Sequence, residues 1–323
     1  MDVWKIGTKE NQNNKKEKIK YAAIAIVTAV SLILYLCQIF THGAFGWNSV
    51  FQAIGLKTDP DDLPKAQVFF LNVGQGNSTL IVNQNEAVLI DAGLPGSEGI
   101  IHRKLMDTKI DKLNYVIISH AHSDHVGGLL GLMRSVSVGE IIMNDWIPES
   151  DSDADCYNKI VESARECGIP INTAQDHRKI QLSDGELVLY VPDLTVADEN
   201  NRSIAVMAKF FNTKLLFMGD NGLPAERYFI NGGYDLDADI LEVGHHGSKT
   251  GTSAPFMSAV TPEKAIISFG YNTYGHPTSE VMSNLKWIGC EYYFTYDESG
   301  LTADIYPERY EIQTNAEKQL IER

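Results

Sequence analysis

From residue 66 onward, short apolar runs rich in Val, Ile, Leu and Phe alternate with stretches whose apolar residues recur every three or four positions. The first pattern predicts strands and the second helices, because side chains alternate across a strand but return to one helix face at i+3 and i+4. Strands are expected at 67–73, 78–82, 87–91, 115–118, 139–143, 186–191, 203–211, 214–218, 238–243, 264–269, 291–295 and 301–305. Helices are expected at 97–107, 124–134, 153–167, 222–230, 253–261 and 277–288, with Ser123 and Thr278 supplying cap chemistry for two of them. A hairpin-rich opening followed by strand–helix alternation predicts mixed sheets covered by helices, an α/β (α+β) class.

The pattern before residue 66 is different. Residues 21–40, YAAIAIVTAVSLILYLCQIF, carry no charge, and this is the length needed to cross roughly 30 Å of hydrocarbon as a helix. Lys15, Lys16, Lys18 and Lys20 precede it, and Asp59, Asp61 and Asp62 follow, so the N-terminus is expected in the cytoplasm and the body outside. An uncleaved anchor fits better than a signal peptide, because the run is long for a signal core and no small-x-small site follows. Bulky Tyr35 and Leu36 before Cys37 argue against a lipoprotein. The expected organisation is a basic N-terminus at 1–20, a transmembrane anchor at 21–40, a linker at 41–65, a folded domain at 66–306 and a tail at 307–323.

Composition narrows the class. With 44% hydrophobic and 21% charged residues, 26 Gly and 11 Pro, the chain is neither disordered, collagen-like nor multi-span. Residues 41–323 hold 21 of the 27 basic and 39 of the 42 acidic residues, a net of −18. Such a body repels polyanions, so charge alone would not grip nucleic acid, and any bound anion needs a local counter-charge. The Lys-rich start reads as the flank of the anchor. Cys37, Cys156, Cys167 and Cys290 show no metal or disulfide spacing, and free, buried thiols are expected.

The chemistry concentrates in Ser119-His120-Ala121-His122-Ser123-Asp124-His125, which follows the apolar run Val116-Ile117-Ile118. A buried strand ends there and delivers three imidazoles and a carboxylate at a sheet edge. Positions 120 and 122 of an extended chain face the same way, and Asp124 and His125 then turn back at a helix start. One pair is suited to one cation and the other pair to a second. Nitrogen and oxygen donors without thiolate suit zinc, with manganese as the alternative.

The spacing HxHxDH after an apolar strand resembles the metallo-β-lactamase superfamily. Phe70-Leu71-Asn72-Val73-Gly74-Gln75-Gly76-Asn77-Ser78 and Leu89-Ile90-Asp91-Ala92-Gly93 resemble the opening of the extracellular hydrolase domain of ComEC-type DNA-uptake proteins. Asn200-Asn201-Arg202-Ser203, Leu216-Phe217-Met218-Gly219-Asp220, Val243-Gly244-His245-His246-Gly247-Ser248 and Tyr274-Gly275-His276-Pro277 follow that family in order, so the similarity covers about 66–306. The resemblance implies a four-layer αββα sandwich with two divalent metal ions. It makes His120 and His122 ligands of one metal, Asp124 and His125 ligands of the other, and Asp220 a bridge. His245 is the preferred further ligand, with His246 nearly as good. Asp91, Asn77, Asn201 and Ser248 would orient the ligands from behind. Asp124 joins the catalytic set, in which His246 or His276 would protonate a leaving group.

The resemblance also implies hydrolysis of a phosphodiester, of DNA or of a wall or lipid component at a bacterial cell membrane. Nucleic acid enters only as a substrate. The chain departs from the family at Asn72 and Asn77, where Asp is usual, and it lacks the third histidine found elsewhere in the superfamily. Two alternatives therefore stand beside a phosphodiesterase: a metal-binding accessory protein with weak or no activity, and a lactone, thioester or β-lactam hydrolase.

Overall fold

A computed structural model describes residues 20, 21, 28, 63–193, 198–296 and 300–314. The expected anchor at 21–40 lies outside these apart from Tyr21 and Thr28, as does nearly all of the basic N-terminus and the linker. Among the described residues no helix is long and apolar enough to cross a membrane.

The unit beginning at Pro64 opens with three antiparallel strands, β1 (Ala66–Phe70), β2 (Thr79–Asn83) and β3 (Glu86–Ile90). Helix α1 (Glu98–Asp107) then leads to β4 (Lys112–Ile117), short helices α2 (Ser123–Val126) and α3 (Leu129–Leu132), β5 (Ser137–Met143), α4 (Asp151–Glu166) and β6 (Ile171–Thr173). A second set follows with β7 (Lys179–Gln181), β8 (Gly185–Tyr190), β9 (Ala205–Phe210) and β10 (Thr213–Phe217). It continues through α5 (Leu223–Asn231), β11 (Ile240–Glu242), α6 (Ala254–Val260), β12 (Lys264–Ile267), α7 (Ser279–Trp287) and β13 (Glu291–Phe294). The chain then returns to the first sheet through β14 (Leu301–Ile305) and β15 (Tyr310–Gln313).

The two mixed sheets have orders β15-β14-β1-β2-β3-β4-β5-β6 and β13-β12-β11-β10-β9-β8-β7. Strand alternation explains how they stack. Val68, Phe70, Ile81, Val88, Ile90 and Ile117 of the first sheet share one buried cluster with Leu187, Leu189, Val206, Phe217, Ile240 and Ile266 of the second. Phe70 and Phe217 stack across that seam with ring centroids 6.1 Å apart. The opposite faces, such as Phe69, Leu80 and Leu89, pack with Ile101, Leu105 and Ile160 of α1 and α4, while Leu216, Leu241 and Ala265 pack with Phe229, Phe256 and Leu285 of α5, α6 and α7. Both faces of each sheet are therefore apolar, which is why most strands read as continuous hydrophobic runs. The expected αββα sandwich is present.

Three differences have local causes. The stretch expected as one helix at 124–134 is two, separated at Gly127-Gly128; a Cβ on Gly128 would lie 2.3 Å from the Ala92 carbonyl oxygen, so this segment packs directly on the backbone after β3. Strands β6 and β7 and strand β15, which lies in the expected tail, are short and rich in polar residues, with little hydrophobic signal of their own. Cys156, Cys167 and Cys290 are free as expected, but only Cys290 is buried and Cys167 is exposed.

Candidate metal centre

The chemistry-bearing loops gather at the C-terminal ends of β3, β4, β10, β11 and β12, where Asp91, the 119–125 segment, Asp220, the His245-His246 pair and Ser268 emerge. His120, His125 and Asp220 form one cluster, and Asp124, His125 and His246 a second; the ligand atoms within each lie within 4.8 Å of one another. His125 thus belongs to both. Asp220 reaches both groups, with Oδ1 3.2 Å from His125 Nε2 and 3.7 Å from His246 Nε2, and Oδ2 3.9 Å from His120 Nε2.

The outward nitrogen of each imidazole is tied to an oxygen, which fixes which nitrogen faces inward. His125 Nδ1–H donates to Asp91 Oδ2 at 2.7 Å. His246 Nδ1–H donates to the Ser268 carbonyl at 2.8 Å, and His122 Nε2–H donates to Glu199 Oε2 at 2.7 Å. The Ser119 hydroxyl donates to Asp91 Oδ2, so its oxygen accepts from His120 Nδ1 at 3.2 Å, with Ser203 Oγ at 3.3 Å. Inward lone pairs therefore remain on His120 Nε2, His122 Nδ1, His125 Nε2 and His246 Nε2.

This arrangement fits divalent cations. His120 Nε2 and His122 Nδ1 lie 2.9 Å apart, and two lone pairs at that distance repel unless a cation sits against them. His125 Nε2 and Asp220 Oδ1 are buried without a hydrogen-bond partner in the protein, which is costly unless something positive satisfies them. The ionisation pattern agrees. Although burial opposes it, Asp220 and Asp91 hold His125 well above the usual histidine range, and Asp220 and Asp124 raise His246. Although burial opposes this too, His125 holds Asp124 and Asp220 below the usual carboxylate range. Burial, then the charge of His125, pushes His120 well below its usual value. In the absence of metal, the raised pKa values of His125 and His246 favour protons where those two rings face Asp124 and Asp220.

Of the two adjacent histidines, His246 and not His245 falls within a cluster of ligand atoms. His246 is buried and converges with Asp124 at 3.2 Å, whereas His245 Nε2 lies 3.6 Å from Asp220 Oδ2 and its Nδ1 pairs with Thr250 Oγ1 at 3.0 Å. The reason is backbone geometry. His245 (φ 50°), His246 (φ 54°) and Gly247 (φ 80°) are successively left-handed, a turn that sends one imidazole inward and leaves the other on the cleft wall. A Cβ on Gly247 would meet Pro277 at 2.6 Å. Both His246 ring nitrogens have oxygen neighbours, Nδ1 at the Ser268 carbonyl and Nε2 at Asp124 Oδ2.

His276 lines the cleft, its ring centroid 5.6 Å from that of His245, and burial followed by the charges of His245 and His246 lowers its pKa. Asn77 acts through its backbone, donating to the Asp124 carbonyl at 3.2 Å and accepting from Gly93 N at 2.9 Å. Ser248 Oγ accepts from the Thr250 hydroxyl and so braces the partner of His245. Asn201 is buried, and its Oδ1 accepts from Gly222 N and Ala225 N, satisfying the first turn of α5. Asn72 Oδ1 accepts from Gly74 N in a local turn.

Sequence reasoning missed Glu199, Ser119 and Ser203. The available signal was position: Ser119 immediately precedes the histidines, and Glu199 and Ser203 bracket the segment standing where a third histidine is usual. Above these residues opens a cleft of about 600 Å³ that reaches Asp124, Asp220, His245 and His246.

The comparisons agree with this geometry. The chain is 27% identical to ComE operon protein 3 of Bacillus subtilis over 69% of its length and 31% of that protein. It is 29% identical to competence protein ComA of Neisseria gonorrhoeae over 82% of its length and 36% of the relative, and 27% identical to recombination protein 2 of Haemophilus influenzae over 77% and 30%. The chain spans about a third of the length of these curated relatives. Among solved structures, the metallo-beta-lactamase fold protein YhfI from Bacillus subtilis superposes with a TM-score of 0.51 at 12% identity, covering 74% of this chain and 98% of that one, a likeness of fold. Residues 71–271, more than half of the chain and the whole ligand cluster, match the model of the metallo-beta-lactamase superfamily, and the chain belongs to that superfamily of metal-dependent hydrolases.

Proposed function

We propose that the protein is a membrane-anchored phosphodiesterase with two metal ions, zinc or else manganese, working outside a bacterial cell membrane. The observation that carries the reading is the pair of His/Asp clusters sharing His125 and joined by Asp220 at the floor of an open cleft. His120, His122 and Asp220 would hold one ion, and Asp124, His125, His246 and Asp220 the other. When bound, such ions supply hydroxide at neutral pH and polarise the attacked ester.

The chain's own residues do the rest. Asp91, Glu199 and the Ser268 carbonyl keep the ligand imidazoles in the tautomers that present lone pairs inward. The Thr250 hydroxyl holds His245 Nδ1 and leaves Nε2 toward the cleft. His276, kept neutral by its surroundings, offers a ring N–H on the same wall and is our choice to hydrogen-bond the leaving oxygen.

The phosphodiester class draws support from the competence and recombination names of the relatives and from the motif run shared with them. The anchor draws support from the uncharged residues 21–40 with their basic flank. Metal content and bis-p-nitrophenyl phosphate hydrolysis of the detergent-solubilised full chain, wild type against Asp124→Ala, test the reading. About two metals per chain, with turnover lost in the variant, is expected. Two metals with no turnover on any phosphodiester would favour the accessory or lactone-hydrolase alternatives.

A further inference from the structure

The cleft is unusual in what surrounds its floor. None of its lining residues is Lys or Arg, and three, Asp124, Asp153 and Asp220, are carboxylates. Lys249, close in sequence to His246, is exposed and outside the lining. The net charge over residues 41–323 is −18, and among the described residues lining the cleft there is no Lys or Arg, the buried Arg202 lying against Trp146 on the far side of His122. Two divalent ions held by Asp124 and Asp220 would keep an excess of two positive charges, one offset by a bound hydroxide and the other by a single diester. A second phosphate alongside would meet Asp153 and uncharged groups, with no Lys or Arg among the described lining residues to balance it.

One lip of the cleft offers flat faces instead. Tyr271 is 88% and Tyr274 74% exposed, yet both sit on a braced loop. Asn272 Oδ1 accepts from the backbone N–H groups of Tyr274, Gly275 and His276, and its amide donates to the carbonyls of Gly270 and His276. Gly270 N in turn donates to Gln75 Oε1 at 3.2 Å. Rigidly presented, solvent-facing tyrosines bind planar or sugar faces at little cost in conformational entropy. Tyr274, His276 and His245 form a row, with ring centroids 5.8 and 5.6 Å apart, leading from the lip to within 3.6 Å of Asp220.

We infer that the site selects a phosphodiester carrying a single negative charge and an uncharged, flat-faced group beside the scissile bond, and that it discriminates against polyanionic strands. Strand-binding grooves combine aromatic stacking with a basic track along the backbone; here the first half is present without the second. The inference rests on the phosphodiesterase reading and gives that reading its substrate class.

The test is a substrate series on the metal-loaded full chain. The p-nitrophenyl ester of thymidine 5′-phosphate is compared with the same ester extended at its 3′ end by one and by two further thymidylates, which keeps the scissile bond constant while phosphates are added. A fall in kcat/KM of roughly tenfold at the first added phosphate, shrinking at high salt, is expected. Tyr274→Leu should lower kcat/KM for the thymidine ester several-fold more than for methyl p-nitrophenyl phosphate, and an equal effect on both would refute the flat-face role. Values of kcat/KM that hold or rise with added phosphates, and fall with salt as counterion release demands, would overturn the charge selection. Absence of turnover across the series and on bis-p-nitrophenyl phosphate would instead remove the phosphodiesterase reading, and this inference with it.

Discussion

His122 and Glu199, 77 residues apart in sequence, are joined by a 2.7 Å hydrogen bond from Nε2–H to Oε2, while Glu199 Oε1 accepts from the backbone N–H of Glu149. The carboxylate therefore fixes the tautomer of His122 and ties it to the loop leading into α4. Glu199→Gln keeps an acceptor oxygen but loses the carboxylate charge and offers an amide that can turn its N–H toward the ring. Affinity for one of the two metals is expected to fall roughly ten- to a hundredfold while the other is little changed. Chelator competition measures this, and nitrogen NMR shifts of metal-free protein check the cause. Wild-type His122 should be protonated at Nε2, and the variant should show a tautomer mixture. An unshifted affinity would show that Glu199 serves only the loop.

Glu242 provides a pH prediction from the buried seam beneath the site. Its carboxylate accepts from Thr79 and Ser268 hydroxyls, and burial raises its pKa from 4.5 to about 7. Below the unfolded value both states are protonated, and the group has no effect on stability. Between the two values the folded state keeps a proton that the unfolded state has lost, so stability falls as pH rises, and the loss is complete above the folded value. The magnitude is about 3 kcal/mol. Urea melts of chelator-treated protein between about pH 4 and about pH 8 should show Glu242→Gln equal to wild type at the acid end and more stable at the alkaline end. Parallel curves would mean that the site accommodates an ionised Glu242.

Asn201→Ala separates a cap from a ligand. Because Asn201 Oδ1 satisfies Gly222 N and Ala225 N in the first turn of α5, the substitution should cost about 1–2 kcal/mol in denaturant unfolding. Metal content at saturation should be unchanged. Loss of a metal without loss of stability would reverse the assignment.

Much of this centre was legible because its ligands are local. His120, His122, Asp124 and His125 fall within six residues after an apolar strand, and that pattern dictates a sheet-edge cluster before any coordinate is known. The strands buried on both faces were legible for the same reason: their apolar runs are continuous. The choice between His245 and His246 was not, because adjacent side chains differ only by the left-handed turn that carries them, and no residue but Gly247 announces that turn. Glu199 was hidden because its partner lies across the fold, and Asn201 because a buried amide can cap a helix as readily as it can face a metal. Polar edge strands such as β7 and β15 take their structure from a neighbour's ladder instead of from their own pattern.

The pair His245 and His246 gives the sharpest test of the centre, since the side chains are identical and both backbones are left-handed, while the rings point to different partners. His246 presents Nε2 3.2 Å from Asp124 Oδ2 and 3.7 Å from Asp220 Oδ1, with its far side on the Ser268 carbonyl. Its removal takes a donor from the second cluster and leaves Asp124 and His125 with only the shared Asp220, so His246→Ala should bind about one metal per chain instead of two. His245 has its Nδ1 on Thr250 and its ring at the cleft wall. His245→Ala should keep both metals, yet lose turnover by roughly ten- to a thousandfold, because a hydrogen-bonding wall group is missing while the metals stay in place. Metal analysis of both variants decides between them. Full metal content in His246→Ala together with loss in His245→Ala would restore the order that sequence position alone suggested, and would require the left-handed turn to open when metal binds.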